Sequence, residues 1–408
     1  REPSHRARRS APGTKQMKIL KTTGDAFVNS RADGSGEVKL LPEHEEDLWH
    51  AFNLVVVGDA VAASTFRKVQ RETSTGSTTS DRVKLTLQIE VCTVDFDPEA
   101  GELRLSGSVM GDSRGEAPEG VRLGSAHTLQ LEVGRAFTII KLCWDSVALE
   151  KLDEASGDGA AAPAELAAVL LQPGLATVCI VSNGMSVVKA RVEAHIPRRG
   201  NAFQLQAADK SLQKWRQQVL AAILKNVDLD RVKALVLAGP GFAKEDFVRW
   251  AGEEAGRRGE EGKTLQRSRS KWLVVHANSA HKHALAEVLS DPATLSRVAD
   301  TKAAAEVAVL STFLSLMASQ PDRVTYGYAH VVAAMQQGAL DKLLLSDNLF
   351  RARSVARRRQ YVGLVEAARA AGAGVHVFSS LHVSGEQLAR LGGVAAVLRF
   401  PLPLEMEE

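Results

Sequence analysis

From Val83 to Val91 apolar and polar residues alternate without a break: Val83, Leu85, Leu87, Ile89 and Val91, with Lys84, Thr86, Gln88 and Glu90 between them. A two-residue period sends one set of side chains to one face of an extended chain and the other set to the opposite face. The stretch is therefore committed to a half-buried antiparallel strand. Its partner precedes it. Val55 and Val57 end at Gly58-Asp59, the chain resumes through Ser64 to Gln70, and a turn is predicted over Thr73 to Ser80. That tip, with Ser74, Thr75, Gly76 and Ser77, has almost no apolar side chains and cannot help build a core. Arg67, Lys68, Arg71, Arg82 and Lys84 stand at its base. A long polar hairpin with a basic base suits a surface that reaches into something negatively charged, and equally suits a solvated loop.

A chain of 408 residues has room for two or three domains, at roughly 100 to 200 residues each. Hydrophobic content of 45% and charged content of 24% place it among ordinary globular proteins. A net charge of +3 is too small for the overall field to bind nucleic acid, so any such contact must come from local patches. Cys92, Cys143 and Cys179 sit far apart, with neither metal-ligand spacing nor a disulfide framework, which points to a reducing, cytoplasmic compartment. No apolar run approaches the ~18 residues a membrane span needs. Arg1 to Gln16 carries five basic residues and one acid with no apolar segment, unlike a secretory signal. We expect it to be a disordered extension before Met17.

Short strands and turns run from Met17 to about Glu150, with one helix over Pro42 to Asn53, and suggest a small closed barrel or sandwich. Glu154 to Pro163 reads as a linker and Ala164 to Leu171 as a helix. Strands over Ala176–Val181, Met185–Val192, Val232–Leu237 and Trp272–His276, interleaved with helices, then predict an α/β domain. In Pro240-Gly241-Phe242 the glycine permits a tight turn and the phenylalanine is expected to pack. A second α/β unit follows, with a helix over Lys302–Met317 and strands near Leu343–Leu345, Val375–Phe378 and Val394–Leu398. The expected divisions are 17–150, 151–282 and 283–408.

Three blocks in order carry a resemblance: Trp49 to Leu54 with Ala63 to Gln70, Val192 to Gly200, and Phe378 to Leu388 continuing to Arg399-Phe400-Pro401. Smaller matches are Trp144 to Val147, Pro240 to Phe242 and Asp300 to Ala304. Together they resemble the Pelota family, ribosome-rescue paralogues of the eukaryotic and archaeal class I release factors, over Met17 to Pro401. The resemblance implies a multidomain α+β fold. Its parts are an Sm-like β-barrel, a central ribonuclease-H-like α/β domain, and a C-terminal α/β/α sandwich like kink-turn-binding ribosomal proteins. It also implies binding to the empty A site of stalled ribosomes beside a translational GTPase, then subunit splitting with a recycling ATPase, in no-go and non-stop surveillance. A monomer with no cofactor and no membrane contact is expected.

Arg67 and Lys68 match the family's first-domain signature, and arginine and lysine both suit the dense phosphate of ribosomal RNA. Arg71, Arg82 and the hydroxyls of the tip join them as candidates near the mRNA entry region. Arg198 and Arg199 are a shortened form of the family's longer basic run. Arg351, Arg353, Arg357, Arg358 and Arg359 form the densest basic cluster, with Arg351, Arg357, Arg358 and Arg359 as candidates for partner binding. Release factors need a Gly-Gly-Gln tip, whereas the single Gly-Gly pair here, Gly392-Gly393, is followed by Val394. The chain also lacks a Walker phosphate loop, so neither peptide release nor nucleotide hydrolysis is expected. His276, His281 and His283 fit no zinc spacing. Asp95, Asp97 and Glu99 lie by a proline turn, where aspartate commonly caps its own backbone. They leave one enzymatic alternative, a metal-dependent endonuclease acting on stalled mRNA.

Overall fold

The computed structural model describes residues 17–28, 34–72, 78–111, 115–116, 121–156, 166–182, 184–197, 202–230, 232–298 and 302–402. The chain forms two compact units, one of residues up to 163 apart from 98–100, the other of those three and everything from 164 onward.

The first unit is an antiparallel sheet of β1 (Lys18–Thr23), β2 (Gly34–Leu41), β3 (Ala60–Glu72), β4 (Thr78–Asp97), β5 (Glu102–Met110), β6 (Ala126–Leu131) and β7 (Phe137–Trp144). The spatial order is β1-β2-β7-β3-β4-β5-β6. Thr65 Oγ1 on β3 lies 3.1 Å from His127 Nε2 on β6, three strands further on, so the sheet curls back on itself as a barrel does. The expected alternation is visible in burial, with Leu87, Ile89 and Val91 inside and Lys84, Thr86 and Glu90 exposed. Beside the sheet are α1 (Asp25–Val28), α2 (Glu45–Leu54) and α3 (Ser146–Ser156). The Asp47 carboxylate accepts the backbone amides of Glu43 and His44 at the start of α2, which explains why that helix begins three residues later than expected. Lys141 Nζ reaches Asp59 Oδ2 at 2.5 Å, and both side chains are nearly out of solvent.

The second unit opens with β8 (Leu166–Gln172), β9 (Leu175–Val181), β10 (Ser186–Glu193), β11 (Ala234–Gly239) and β12 (Trp272–His276), in the order β10-β9-β8-β11-β12. β8 corrects the sequence reading, which made this segment helical. Leu166 to Leu171 is buried at every position, because the strand pairs antiparallel with β9 and parallel with β11 at the centre of the sheet. A fully buried strand loses the alternation that distinguishes it from a short helix. Helices α4 (Ala202–Asn226), α5 (Ala243–Ala255) and α6 (Gly259–Ser268) belong to this half. The short α7 (Leu285–Ser290) and α8 (Pro292–Val298) follow.

The remaining half holds α9 (Lys302–Ser319), β13 (Val324–Tyr326), α10 (Tyr328–Gln336), β14 (Leu340–Ser346), α11 (Val355–Ala370), β15 (Gly374–Phe378), α12 (Val383–Arg390) and β16 (Val394–Leu398). Its sheet runs β13-β16-β14-β15. Phe313 of α9 and Leu388 of α12 share one core with Leu344, Phe378 and Val397 of the sheet.

Candidate functional site

The hairpin of β3 and β4 outgrows its own sheet. β3 pairs with β7 over Ala60 to Ala63, and β4 pairs with β5 from Gln88 onward. Beyond these, the two strands pair with each other as far as Glu72 opposite Thr78. The register makes Thr78 to Ser80 strand rather than turn, because each finds a backbone partner in β3. From Phe66 to Glu72 the arm extends roughly 20 Å at ~3.4 Å per residue. Along it Lys68 stands directly opposite Arg82, Phe66 opposite Lys84, Arg67 opposite Val83, and Arg71 opposite Thr79. Like charges directly across a ladder destabilise it, and a lone two-stranded ribbon is marginal in water. Both costs fall when an anion sits against the arm. Ser74, Thr75, Gly76 and Ser77 lie outside the described residues, as do Arg198, Arg199 and the extension 1–16.

The turn after β11 overturns an expectation. Phe242 was expected to pack but is 79% exposed. Gly241 adopts φ +61°, and the buried Lys244 donates from Nζ to the Gly241 carbonyl at 2.6 Å. This fixes the turn in a form that presents the ring outward.

The arginine cluster also separates. A short helical turn over Asp347–Arg351 precedes α11. Arg351 Nη1 reaches the buried Asp347 Oδ2 at 3.1 Å and its Nη2 donates to Ser380 Oγ at 3.0 Å, leaving the side chain 13% exposed. Arg351 is thereby withdrawn from the cluster, because its guanidinium is engaged within the fold. Arg358 is half-buried and donates from Nη1 to the Ala352 carbonyl at 3.2 Å. Arg353, Arg357 and Arg359 are exposed. Ser354 caps α11 by accepting the Arg357 amide, and the first turn holds no acid. Cations at the positive end of a helix dipole cost stability, so this end also favours an external anion.

The block Phe378 to Leu388, which marked the resemblance, lies between the two halves of the second unit. His382 is fully buried, and its Nδ1 lies 3.2 Å from Ser384 Oγ, which donates to Glu306 Oε2 at 3.1 Å. Burial pushes its pKa down to about 4, with the nearby positive charge of Lys282 acting in the same direction. Gly385 is obligatory, since a Cβ there would meet the Ser379 carbonyl at 1.9 Å. The sequence reading gave this block no role beyond recognition of the family.

Among the described residues no three His, Cys, Asp or Glu side chains converge as metal ligands. Asp95 and Asp97 are exposed on β4, in register with Arg104 and Glu102. Among the described residues no helix is long and apolar enough to cross a membrane.

Family models match in sequence order: the Pelota N-terminal domain over 17–156, eRF1 domain 2 over 165–300 and eRF1 domain 3 over 303–402. The chain is 45% identical over 370 residues to the pelota homologue of Danio rerio, covering 91% of this chain and 94% of that one. It is 45% identical over 377 residues to the Homo sapiens homologue, covering 92% and 95%. Among solved structures, S. cerevisiae Dom34 matches at 26% identity and TM-score 0.53, covering 95% of this chain and 99% of Dom34. Dom34 is described as a translation termination-like factor involved in RNA quality control pathways and interacting with Hbs1. The Thermoplasma acidophilum Pelota protein, at 19% identity and TM-score 0.63 over 90% of this chain and 96% of that one, shares the fold.

Proposed function

Since the chain belongs to the Pelota family, we propose that it is a release-factor-like ribosome-rescue factor that enters the vacant A site of stalled ribosomes. It does so beside a translational GTPase, and a recycling ATPase then helps part the subunits. The likeness to Dom34, with its part in RNA quality control and its partner Hbs1, supports this reading. The work is binding and conformational change in the cytoplasm, feeding no-go and non-stop decay, with no covalent step by this chain.

The observation that carries the proposal is the two-stranded arm with Lys68 opposite Arg82. A basic ribbon that leaves its sheet fits a narrow channel walled by phosphate, with Arg67, Lys68, Arg71 and Arg82 as its contacts. The tip residues Ser74 to Ser77 and the pair Arg198-Arg199 are further proposed RNA contacts. Arg357, Arg358 and Arg359, with the displayed Phe242, are proposed to meet protein partners, because an exposed aromatic on a fixed turn and a forked cation are common anchors of interfaces.

The test is co-sedimentation with stalled ribosomes, the cognate GTPase and a non-hydrolysable GTP analogue. The chain should pellet with the ribosomes, and binding should fall steeply as salt rises, because phosphate contacts release counterions. Replacing Lys68→Glu and Arg82→Glu should abolish it. A wild-type chain that stays in the supernatant under these conditions refutes the reading.

A further inference from the structure

Ser379, Ser380 and Leu381 join the end of β15 to α12, and they are bonded on two sides. Toward the five-stranded half, Ser379 Oγ donates to the Gly184 carbonyl at 2.5 Å, and the Ser186 amide donates to the Leu381 carbonyl at 3.1 Å. Toward the four-stranded half, the Ser380 amide donates to Asp347 Oδ1 at 2.9 Å, and Arg351 donates to Ser380 Oγ. Ser379 and Asp347 are both buried, so these bonds form in a medium where they are strong when made and costly when broken.

Beside this segment the two halves also meet through a buried apolar core, in which Val307 of α9 and Val383 of α12 join Leu285 and Val288 of α7. Lys282 and Glu386 approach to 3.5 Å, but both are over 40% exposed, and such pairs contribute little. Beside α12 an open cleft is lined by Ala284, Val307, Leu310, Leu314, Ser384 and Gln387.

We infer that Ser379–Leu381 is a polar joint coupling the two halves of the second unit, and that Asp347 and Arg351 are positioning residues that hold it in place. Arg351 neutralises Asp347, and Asp347 orients the Ser380 amide. That orientation aims Ser379 Oγ at Gly184. Removing Arg351 leaves a buried carboxylate without its cation. Asp347 then turns toward water, Ser380 follows, and the bonds to Gly184 and Ser186 weaken although Arg351 bonds to neither.

Amide hydrogen exchange on the free full-length chain tests this, and its result does not depend on ribosome binding. Ser379→Ala should speed exchange of the Ser186 amide by about tenfold, the loss of one buried bond, while β11 stays protected. Arg351→Ala should speed the same amide by a similar factor. The double variant should match either single, since both act through one element. Asp347→Asn, which keeps size and shape, should give an intermediate rise and supplies the reading if a truncation also exposes β11. The inference is overturned if Arg351→Ala and Asp347→Asn change exchange only over residues 347–360, or if the effects of Arg351→Ala and Ser379→Ala multiply in the double variant.

Discussion

Lys141 with Asp59 in the first unit, and Arg351 with Asp347 in the second, make the same kind of contact. In each, a nearly buried carboxylate takes a cation and also a backbone amide, from Val56 in one case and Ser380 in the other. They differ in what lies beyond the cation. Lys141 sits over the Trp144 ring at 5.6 Å and is 5% exposed, so it ends inside its own core. Arg351 is 13% exposed and passes its remaining donor to Ser380, in a segment bonded to another sheet. One pair pins a single fold, and the other links a surface helix to a joint. A short lysine suits the first task and a forked arginine the second, because only the guanidinium can hold two partners in fixed directions.

The contrast is open to attack at several points. The largest effect should come from Lys141→Ala, which strands Asp59 and should cost roughly 3 to 5 kcal/mol in chemical denaturation. The pair Lys141→Met, Asp59→Asn should recover most of that, because no uncompensated charge remains. A loss below about 1 kcal/mol for Lys141→Ala would remove the pinning role.

Acid should act next, through a buried group of the second unit. The folded-state pKa of His382 lies near 4, below its ordinary value of 6.5. The unfolded chain therefore binds the proton first on acidification. The stabilisation is complete above about pH 6.5, falls as pH drops toward 4, and levels off below that, for a loss on the order of 3 kcal/mol. Denaturation midpoints recorded across this window should fall for wild type and stay flatter for His382→Gln.

Arg351→Ala should cost less than Lys141→Ala, about 2 kcal/mol, since Arg351 is the more exposed of the two cations, 13% against 5%. Equal losses for the two would erase the distinction drawn above. The smallest change is expected for Arg357→Ala with Arg359→Ala, whose unfolding free energy should stay within about 0.5 kcal/mol of wild type or rise slightly as the α11 dipole is relieved. Their partner binding should nevertheless weaken and lose salt dependence.

Much of this was legible in the sequence, for physical reasons that vary from place to place. Val83 to Val91 announced its strand because one face is wet, and that alternation leaves a direct trace. β8 was misread because both its faces are buried. The density of arginines near α11 was plain, but the separation of Arg351 from the rest was not. Asp347, four residues upstream, was a local signal, whereas Ser380 reaches it only through the sheet. Phe242 misled because an aromatic beside a buried strand usually packs, and nothing nearby reveals that Lys244 grips the Gly241 carbonyl. His382 drew no reading of its own, since the network it joins runs through Ser384 to Glu306, far away in the chain. The basic arm was located correctly, yet its length became clear only from the register that carries pairing to Glu72.

That register has a consequence for how the arm can change. Among the described residues its outer rungs bond to no third strand, so residues added in matched pairs, one to each side, would extend its reach and leave the curled sheet as it is. A single added residue would instead exchange the two faces beyond it and part Lys68 from its place across from Arg82. Variation among chains of this design should therefore come in even steps.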